Sequence, residues 1–282
     1  MGGPEPTPFE VSRSGILLRG RSEGEGPDVV LCHGLSANRE YVVHGSRHLP
    51  RSGYRLHVYD ARGHGASDPS PGEEGYGYPV QIADLDAVIE EVTKGGPLVV
   101  GGHSMGCHTA AGWALENPGR VRALILIGPV FGVTSAPVSE ARWEERAMAL
   151  ERGGPDAFAE QVAGEFAGDR DDRELVARIA RRRIGEHRNT SAVVEALRDV
   201  PRSRPFESIE QLRDLHVPAL VVGSRDELDP GHPLAVAEAW AELIPGAELI
   251  VEDEGESPLA WQGGRLSRDI VSFLDRVTQE ER

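Results

Sequence analysis

The sequence predicts an α/β protein in which helices cover both faces of a mostly parallel sheet and a helical segment is inserted between two strands. Short apolar runs alternate with segments of helical length along most of the 282-residue chain, which is the pattern of a parallel sheet with crossover helices. The stretch 134–205 interrupts this alternation, because it lacks any strand pattern and instead indicates about four helices.

The chain opens with the pattern of a β-hairpin. Residues 9–21 alternate around a turn near Gly15, and a short apolar strand follows and ends at Cys32. Further apolar runs predict parallel strands at 54–60, 96–102, 121–128, 217–223 and 247–253. Amphipathic segments, or segments bounded by glycine and proline, predict helices at 39–51, 79–93, 105–116, 231–244 and 259–277. The sheet therefore has eight predicted strands.

The helical insertion divides the sheet domain along the sequence. The expected parts are 1–133 for the first portion of the sheet domain, 134–206 for the insertion, and 207–282 for the second portion. The insertion contains two charged runs, 169–174 and 178–183, which are typical of a solvated helix face.

Composition excludes several classes of function. Lys and Arg number 30 against 46 Asp and Glu, and a net charge of −16 repels nucleic acids and anionic membranes. The two cysteines, Cys32 and Cys107, provide neither a disulfide framework nor the spacing of metal ligands, so we expect no metal. No apolar stretch approaches the ~20 residues that cross a bilayer, and the first residues lack a signal-peptide pattern. We therefore expect a cytoplasmic location.

The segment Gly102-His103-Ser104-Met105-Gly106 is the strongest signal for chemistry. It lies between a predicted apolar strand and a predicted helix, where glycines on both sides allow a sharp turn that exposes the serine hydroxyl above the sheet edge. Free amides at the start of the helix face negative charge that develops there. This pattern predicts Ser104 as a catalytic nucleophile.

Two further motifs, Cys32-His33-Gly34-Leu35 and the DARGHGAS segment at 60–67, follow the third and fourth predicted strands. With these motifs, nearly the whole chain resembles the α/β-hydrolase family. The resemblance implies the α/β-hydrolase fold, with an eight-stranded, mostly parallel sheet and a helical cap inserted after strand 6. It also implies a serine hydrolase without a cofactor, in which the backbone amides of Leu35 and Met105 form the oxyanion hole.

The resemblance places the catalytic acid after the strand 217–223, where Asp226 stands. It places a histidine after the next strand, within a segment that here reads Glu254-Gly255-Glu256-Ser257-Pro258. Glu256 therefore occupies the expected histidine position, and no histidine follows His232.

Glu256 changes the expected proton chemistry. A carboxylate with a pKa near ~4.3 is a weak base toward serine, and loss of the base costs about 10⁶ in turnover in a well-studied serine protease. Two carboxylates ~4 Å apart repel by about 4 kcal/mol, so Asp226 and Glu256 would share a proton if they meet. Glu256 would then shuttle the proton beside Ser104. His232, six residues beyond Asp226, is the alternative substitute base.

The leading interpretation is a hydrolase of a small ester or related carbonyl compound with an atypical Ser104, Asp226 and Glu256 site. Two alternatives stay open: a catalytically impaired, ligand-binding homologue without a base, and a carboxylate-pair enzyme for proton transfer or C–C bond chemistry. The expected partner is a partly apolar small molecule, with neither nucleic acid nor membrane, and the expected assembly is a monomer or homodimer. Candidate pocket walls are Trp143, Phe158, Phe131 and Val133.

Overall fold

The computed structural model describes residues 5–132, 140–166, 168–224, 231–252 and 263–280. Its strands are β1 (Thr7–Arg13), β2 (Ile16–Glu23), β3 (Asp28–Cys32), β4 (Arg55–Tyr59), β5 (Leu98–His103), β6 (Val121–Ile127), β7 (Ala219–Ser224) and β8 (Glu248–Glu252). They form one sheet in the order β1-β2-β4-β3-β5-β6-β7-β8. The β1–β2 and β2–β4 pairs are antiparallel and the other pairs are parallel. The predicted eight-stranded, mostly parallel sheet is confirmed.

Helices cover both faces of this sheet. They are α1 (His48–Arg51), α2 (Tyr78–Val92), α3 (Met105–Glu116), α4 (Glu140–Gly164), α5 (Arg170–Gly185), α6 (Thr190–Asp199), α7 (Leu234–Leu243) and α8 (Gly263–Glu280). Helices α2, α3 and α7 pack on one face, and α1 and α8 pack on the other. Strand β6 contributes Leu124 to the first core and Ile125 to the second, which explains why it reads as a continuous apolar run.

The predicted helix over 39–51 is wrong. The structure has a 3₁₀ turn at Arg39–Tyr41, capped by the Asn38 side chain, and then the separate short helix α1. Between them His44 and Gly45 adopt φ values of 48° and 71°. A right-handed helix cannot contain these backbone angles, so the segment forms two short elements.

Helices α4, α5 and α6 lie between β6 and β7 in the sequence. Helix α4 breaks at Gly154, where φ is 66°, and Pro155 follows, so the segment has the four helical pieces that the sequence predicts. The three helices share an apolar core of their own, and α6 also packs on Tyr76, Tyr78 and Met105 of the sheet domain. The predicted boundary at residue 134 lies outside the described residues. None of the helices in the described ranges is long and apolar enough to span a bilayer.

A buried ion pair joins the loop after β4 to helix α2. The Arg62 guanidinium donates to both carboxylate oxygens of Asp84 at 2.6 and 2.7 Å, and Arg13 of β1 donates to the same carboxylate at 2.9 Å. The Arg62 and Asp84 side chains are 1% and 2% exposed. Two arginines therefore share one buried carboxylate, and Arg62 also donates to the more exposed Glu74 carboxylate at 3.0 Å.

We expect Asp84→Asn to lower the free energy of unfolding by about 3 kcal/mol, because it removes the buried counter-charge of the Arg62 guanidinium and leaves only the more exposed Glu74 carboxylate. Urea titration followed by circular dichroism measures the loss. Glu90→Gln, on the same helix, is the control, because the Glu90 side chain is 63% exposed and pairs with Arg120 at the surface. The control should lose less than about 1 kcal/mol. Equal losses in the two variants would contradict a special role for the buried pair.

Candidate active site

Ser104 lies at the turn between β5 and α3, at the carboxyl edge of the sheet. Its φ of 52° and ψ of −114° are angles that residues other than glycine rarely adopt. The turn is held on both sides, since the Ser104 N–H donates to the Ile127 carbonyl at 2.9 Å and the Ser104 carbonyl accepts from the His108 N–H at 3.1 Å. The sheet and α3 thus impose the strained backbone that carries the hydroxyl.

The two glycines of the motif lie too close to β3 to carry a side chain. A Cβ on Gly102 would lie 2.4 Å from the Cys32 carbonyl oxygen, and one on Gly106 would lie 2.2 Å from the same atom. On the other side of the turn, a Cβ on Gly34 would lie 3.4 Å from the Ser104 Cβ. The loop after β3 therefore runs directly against the serine.

The two amides predicted for the oxyanion hole belong to residues on either side of this contact. Met105 is the first residue of α3, and the amides of a first helical turn have no partner within the helix. Leu35 follows Gly34 and lines the same cavity as Ser104. Both residues are therefore next to the serine.

A cavity of about 120 Å³ opens beside Ser104. Its apolar wall consists of Leu35, Ala37, Val130, Trp143, Phe158, Val162, Phe166 and Ala180, and half of these residues belong to α4 and α5. Trp143 and Phe158 thus lie where the sequence predicts them. Phe131 instead packs on Phe206 with ring centroids 5.1 Å apart, and Val133 lies outside the described residues. Two larger cavities, of about 620 and 600 Å³, lie elsewhere and do not include Ser104.

The predicted acids, Asp226 and Glu256, lie outside the described residues. The strands that precede them end at Ser224 and Glu252. Both strands run parallel to β6 and β5, so these ends are at the same edge of the sheet as Ser104.

His232 lines the same cavity as Ser104. Its ring lies 5.0 Å from the ring of His103, centroid to centroid. Burial lowers the pKa of His103 well below its usual value, and the nearby charges of His232 and Arg183 add to the shift. The structure therefore brings the predicted substitute base and the serine into one cavity.

Other histidines near the site hold loops through backbone hydrogen bonds. His108 accepts from the Val130 N–H at 3.0 Å and bonds to the Tyr78 hydroxyl at 2.8 Å, and burial lowers its pKa to about 3. His33 accepts from the Ala61 N–H at 2.9 Å. A ring nitrogen that accepts a hydrogen bond carries no proton, so these imidazoles are neutral.

His187, just beyond α5, connects the helical insertion to the loop after β4. It accepts from the Gly65 N–H at 2.8 Å and lies 5.5 Å from the buried ring of His64, centroid to centroid. Burial, with a further contribution from His33, lowers the pKa of His187 to about 4.

Neither cysteine is activated. Cys32 and Cys107 are buried, and burial raises the pKa of the Cys32 thiol to about 12 and that of Cys107 well above its usual value. Within the part of the chain that the structure describes, no group of three or more His, Cys, Asp or Glu side chains is arranged to hold a metal ion.

The sequence prediction for the charged run at 178–183 is wrong at its last residue. Arg181 and Arg182 are 49% and 77% exposed and pair with Asp156 and Glu186, as on a solvated face. Arg183 instead lines the cavity together with Ala180. Helical spacing could have predicted the position of Arg183, since Ala180 and Arg183 are three residues apart and such residues lie on one face of a helix. Arg146 of α4 is a second lining residue that the sequence analysis did not identify.

Comparison with known proteins agrees with this geometry. Residues 27–262 match the model of the alpha/beta hydrolase fold family. The chain belongs to the alpha/beta hydrolase family. It is 31% identical to a pimeloyl-[acyl-carrier protein] methyl ester esterase of Aeromonas hydrophila over 82% of this chain and 84% of that protein. It is 25% identical to the non-heme chloroperoxidase CPO-A1 of Kitasatospora aureofaciens, over 95% and 100% of the two chains.

A solved relative has the same fold. The malate-bound thermophilic esterase from Thermogutta terrifontis superposes with a TM-score of 0.77 at 24% identity, covering 96% of this chain and 99% of that one. The family and its esterase relatives indicate a hydrolase.

We expect Gly106→Ala to destabilise the protein by about 3 kcal/mol, because its Cβ would overlap the Cys32 carbonyl and neither backbone can move freely. Thermal and urea unfolding measure the change. Gly119→Ala is the matched control, since a Cβ at Gly119 meets no atom within 4 Å. A Gly106→Ala protein as stable as the control would refute the steric requirement.

We expect the protein to lose stability as the pH falls from about 6.5 toward 4. The unfolded chain binds a proton at each histidine near its ordinary pKa of about 6.5, whereas folded His187 stays neutral until about pH 4. At pH 5 this difference costs about 2 kcal/mol for His187 alone. Urea titrations at pH 7.5 and 5.0 should show a pH-dependent loss that is smaller by that amount in His187→Gln. An unchanged pH dependence in the variant would contradict the assignment.

Proposed function

We propose that this protein is a serine hydrolase that cleaves a small ester or a related carbonyl compound with Ser104 as nucleophile. The backbone at Ser104 supports this most strongly, because a non-glycine residue at φ 52° is costly and here it lines a cavity. The esterase relatives support the ester class.

The reaction follows from the positions of the backbone amides. The Ser104 hydroxyl attacks the carbonyl carbon, and the Leu35 and Met105 amides stabilise the oxyanion, each donor contributing about 10²–10³ in rate. Collapse of the tetrahedral intermediate releases the alcohol, which needs a proton, and leaves an acyl-serine. Water then attacks this ester and releases the acid. The helices α4 to α6 act as a cap that supplies the apolar wall for the substrate.

Proton transfer is assigned to Asp226 and Glu256. The positions of these two residues in the sequence support the assignment, since they follow the ends of β7 and β8 at the carboxyl edge of the sheet. A shared proton raises the pKa of one carboxyl and lets Glu256 both accept and return a proton near neutral pH. His232 is the second candidate for the base, because it lines the cavity with Ser104 and imidazole is the most common general base in enzymes.

We expect a fluorophosphonate probe to label Ser104 stoichiometrically in the wild-type protein and to leave Ser104→Ala unlabelled. Mass spectrometry of the intact protein and of its peptides measures both results. Hydrolysis of short p-nitrophenyl esters should fall in Ser104→Ala by about 10³ or more. Labelling at another residue, or unchanged hydrolysis in Ser104→Ala, would overturn the proposal.

Three further variants separate the candidates for proton transfer. Glu256→Gln should abolish turnover if the carboxylate pair acts, and unchanged activity would remove Glu256 from the mechanism. Full activity in His232→Ala would exclude His232 as the base. Labelling that appears only after Glu256→His would instead favour a ligand-binding homologue without a base. Turnover that survives Ser104→Ala but not Glu256→Gln would favour carboxylate-pair chemistry.

A further inference from the structure

A cavity of about 620 Å³ lies at the amino edge of the sheet, whereas Ser104 lies at the carboxyl edge. Its lining includes Asp28 and Arg55, the first residues of β3 and β4, and Val92, the last residue of α2. Strands β3, β4 and β5 are parallel, so the ends at which they begin share one edge, and Ser104 follows the opposite end of β5. The cavity is therefore separate from the site at Ser104.

Three neighbouring strands bring a serine, a histidine and an aspartate together at this cavity. Ser22 of β2 is the antiparallel partner of His57 of β4, and Asp28 of β3 lies on the other side of β4. The Ser22 hydroxyl oxygen lies 2.7 Å from Nδ1 of His57, and Nε2 of His57 lies 2.9 Å from a carboxylate oxygen of Asp28. The three side chains thus form one hydrogen-bonded chain from the serine to the carboxylate.

The aspartate determines which nitrogen of the imidazole carries the proton. A carboxylate only accepts hydrogen bonds, so Nε2 of His57 donates to Asp28. Burial lowers the pKa of His57, and this effect exceeds the opposite effect of the bond to Asp28, so the ring is neutral at neutral pH. Nδ1 then carries a lone pair and accepts from the Ser22 O–H. The imidazole is therefore in the state that can take a proton from the serine.

The serine is the member of this chain through which a substrate can reach the base. Ser22 is half-buried and lines the cavity, whereas the His57 side chain is 0% exposed. The imidazole is thus shielded from solvent and held between its two partners. A hydroxyl that donates to an oriented base and lines a cavity has the geometry of an activated nucleophile.

Arg55 places a positive charge beside this chain. It lies two residues before His57 on β4, so the two side chains are on the same face of the sheet. Its charge contributes to the lowered pKa of His57, after burial and the opposing effect of Asp28. Because Arg55 also lines the cavity, its guanidinium can donate to an oxyanion that forms at a bound carbonyl group.

The rest of the lining favours a cationic substrate. Glu23 is already paired, since it accepts from Arg21 at 3.0 Å and also from Arg47. Three further carboxylates line the cavity at exposed positions, and they are Glu5, Glu25 and Glu91. With Lys94 and Arg55 as the cationic members, acids outnumber bases in the lining. Such a surplus of negative charge concentrates a cation in the cavity.

We propose that Ser22, His57 and Asp28 form a second nucleophilic site, which cleaves small esters or thioesters that carry an ammonium group. The Ser22 oxygen bonds to the acyl carbon while His57 takes the hydroxyl proton, and the proton passes to the departing alcohol or thiol as its bond to the acyl group breaks. Water then attacks the acyl-serine and gives a proton to His57, which returns it to the Ser22 oxygen and releases the acid. Asp28 orients the ring, and Arg55 stabilises both oxyanions.

Turnover in the Ser104→Ala background tests this site by itself. Ser104→Ala should release thiocholine from acetylthiocholine faster than buffer does, and adding Ser22→Ala should lower kcat/KM about 100-fold or more. Ser12→Ala, at an exposed position of the neighbouring strand β1, is the matched control and should leave the rate unchanged. Mass spectrometry after an acid quench should find the acetyl group on the Ser22 peptide. Release no faster than in buffer, or equal rates after Ser22→Ala and Ser12→Ala, would overturn the proposal.

Variants of the other two members test the hydrogen-bonded chain. In the same background, His57→Gln should remove the turnover of acetylthiocholine. Asp28→Asn should lower kcat about 100-fold or more, because the imidazole loses the partner that fixes its tautomer, and Asp28→Glu should restore part of it. Unchanged kcat in His57→Gln would refute the role of the histidine as base. Circular dichroism verifies that each variant is folded.

The charge of the substrate provides the second readout. An uncharged analogue, in which a tert-butyl group replaces the trimethylammonium group, should have a kcat/KM about 10-fold lower or less. Equal values for the two thioesters would overturn the cationic substrate class. The fluorophosphonate and the p-nitrophenyl esters lack an ammonium group and react far more slowly at Ser22 than at Ser104, so they report on Ser104. If Ser104 resists the fluorophosphonate but Ser104→Ala cleaves acetylthiocholine, the proposed function fails and the second site stands.

Discussion

The close approach of β3 to the turn between β5 and α3 determines the geometry of the whole site. The Cys32 carbonyl oxygen occupies the space that a Cβ on Gly102 or Gly106 would need. Because both segments are buried parts of a parallel sheet and its crossover helix, neither can withdraw without exposing apolar surface. The serine between the two glycines must therefore adopt a positive φ, and its hydroxyl projects from the sheet edge.

The helical insertion helps to enclose this exposed hydroxyl in a cavity. Its three helices have an apolar core of their own, and they also pack through α6 on residues of the sheet domain near the start of α3. The result is a small, partly apolar cavity that is lined by the serine turn on one side and by residues of α4 and α5 on the other. The sheet domain thus holds the serine turn, and the insertion provides much of the apolar lining of the cavity.

Buried polar groups hold the loops around this cavity in one arrangement. Neutral imidazoles accept backbone N–H groups of the loops, and a buried carboxylate holds two arginines beneath them. Each such group is costly when its partner is lost, so the network favours a single loop conformation. The acid sensitivity expected of the fold comes from the same neutral histidines that hold the loops.

The sequence alone determined the sheet, most of the helices and the serine turn. The spacing of apolar residues and the positions of glycines are local properties of the sequence, so these elements can be predicted without tertiary contacts. Strand β6 illustrates this, since its unbroken apolar run requires burial on both faces. The helix predicted over 39–51 failed because His44 and Gly45 adopt left-handed angles that no local pattern revealed. Asp226 and Glu256 stay sequence predictions.

Only the tertiary structure decided which side chains share a cavity with Ser104. Arg183 belongs to a charged run whose composition is typical of a surface, and its neighbours Arg181 and Arg182 do lie at the surface. The packing of α5 against α4 and over the sheet edge selected the one arginine that faces inward. The orientation of Arg183 depends on contacts between residues far apart in the chain, and the composition of the charged run does not reveal these contacts.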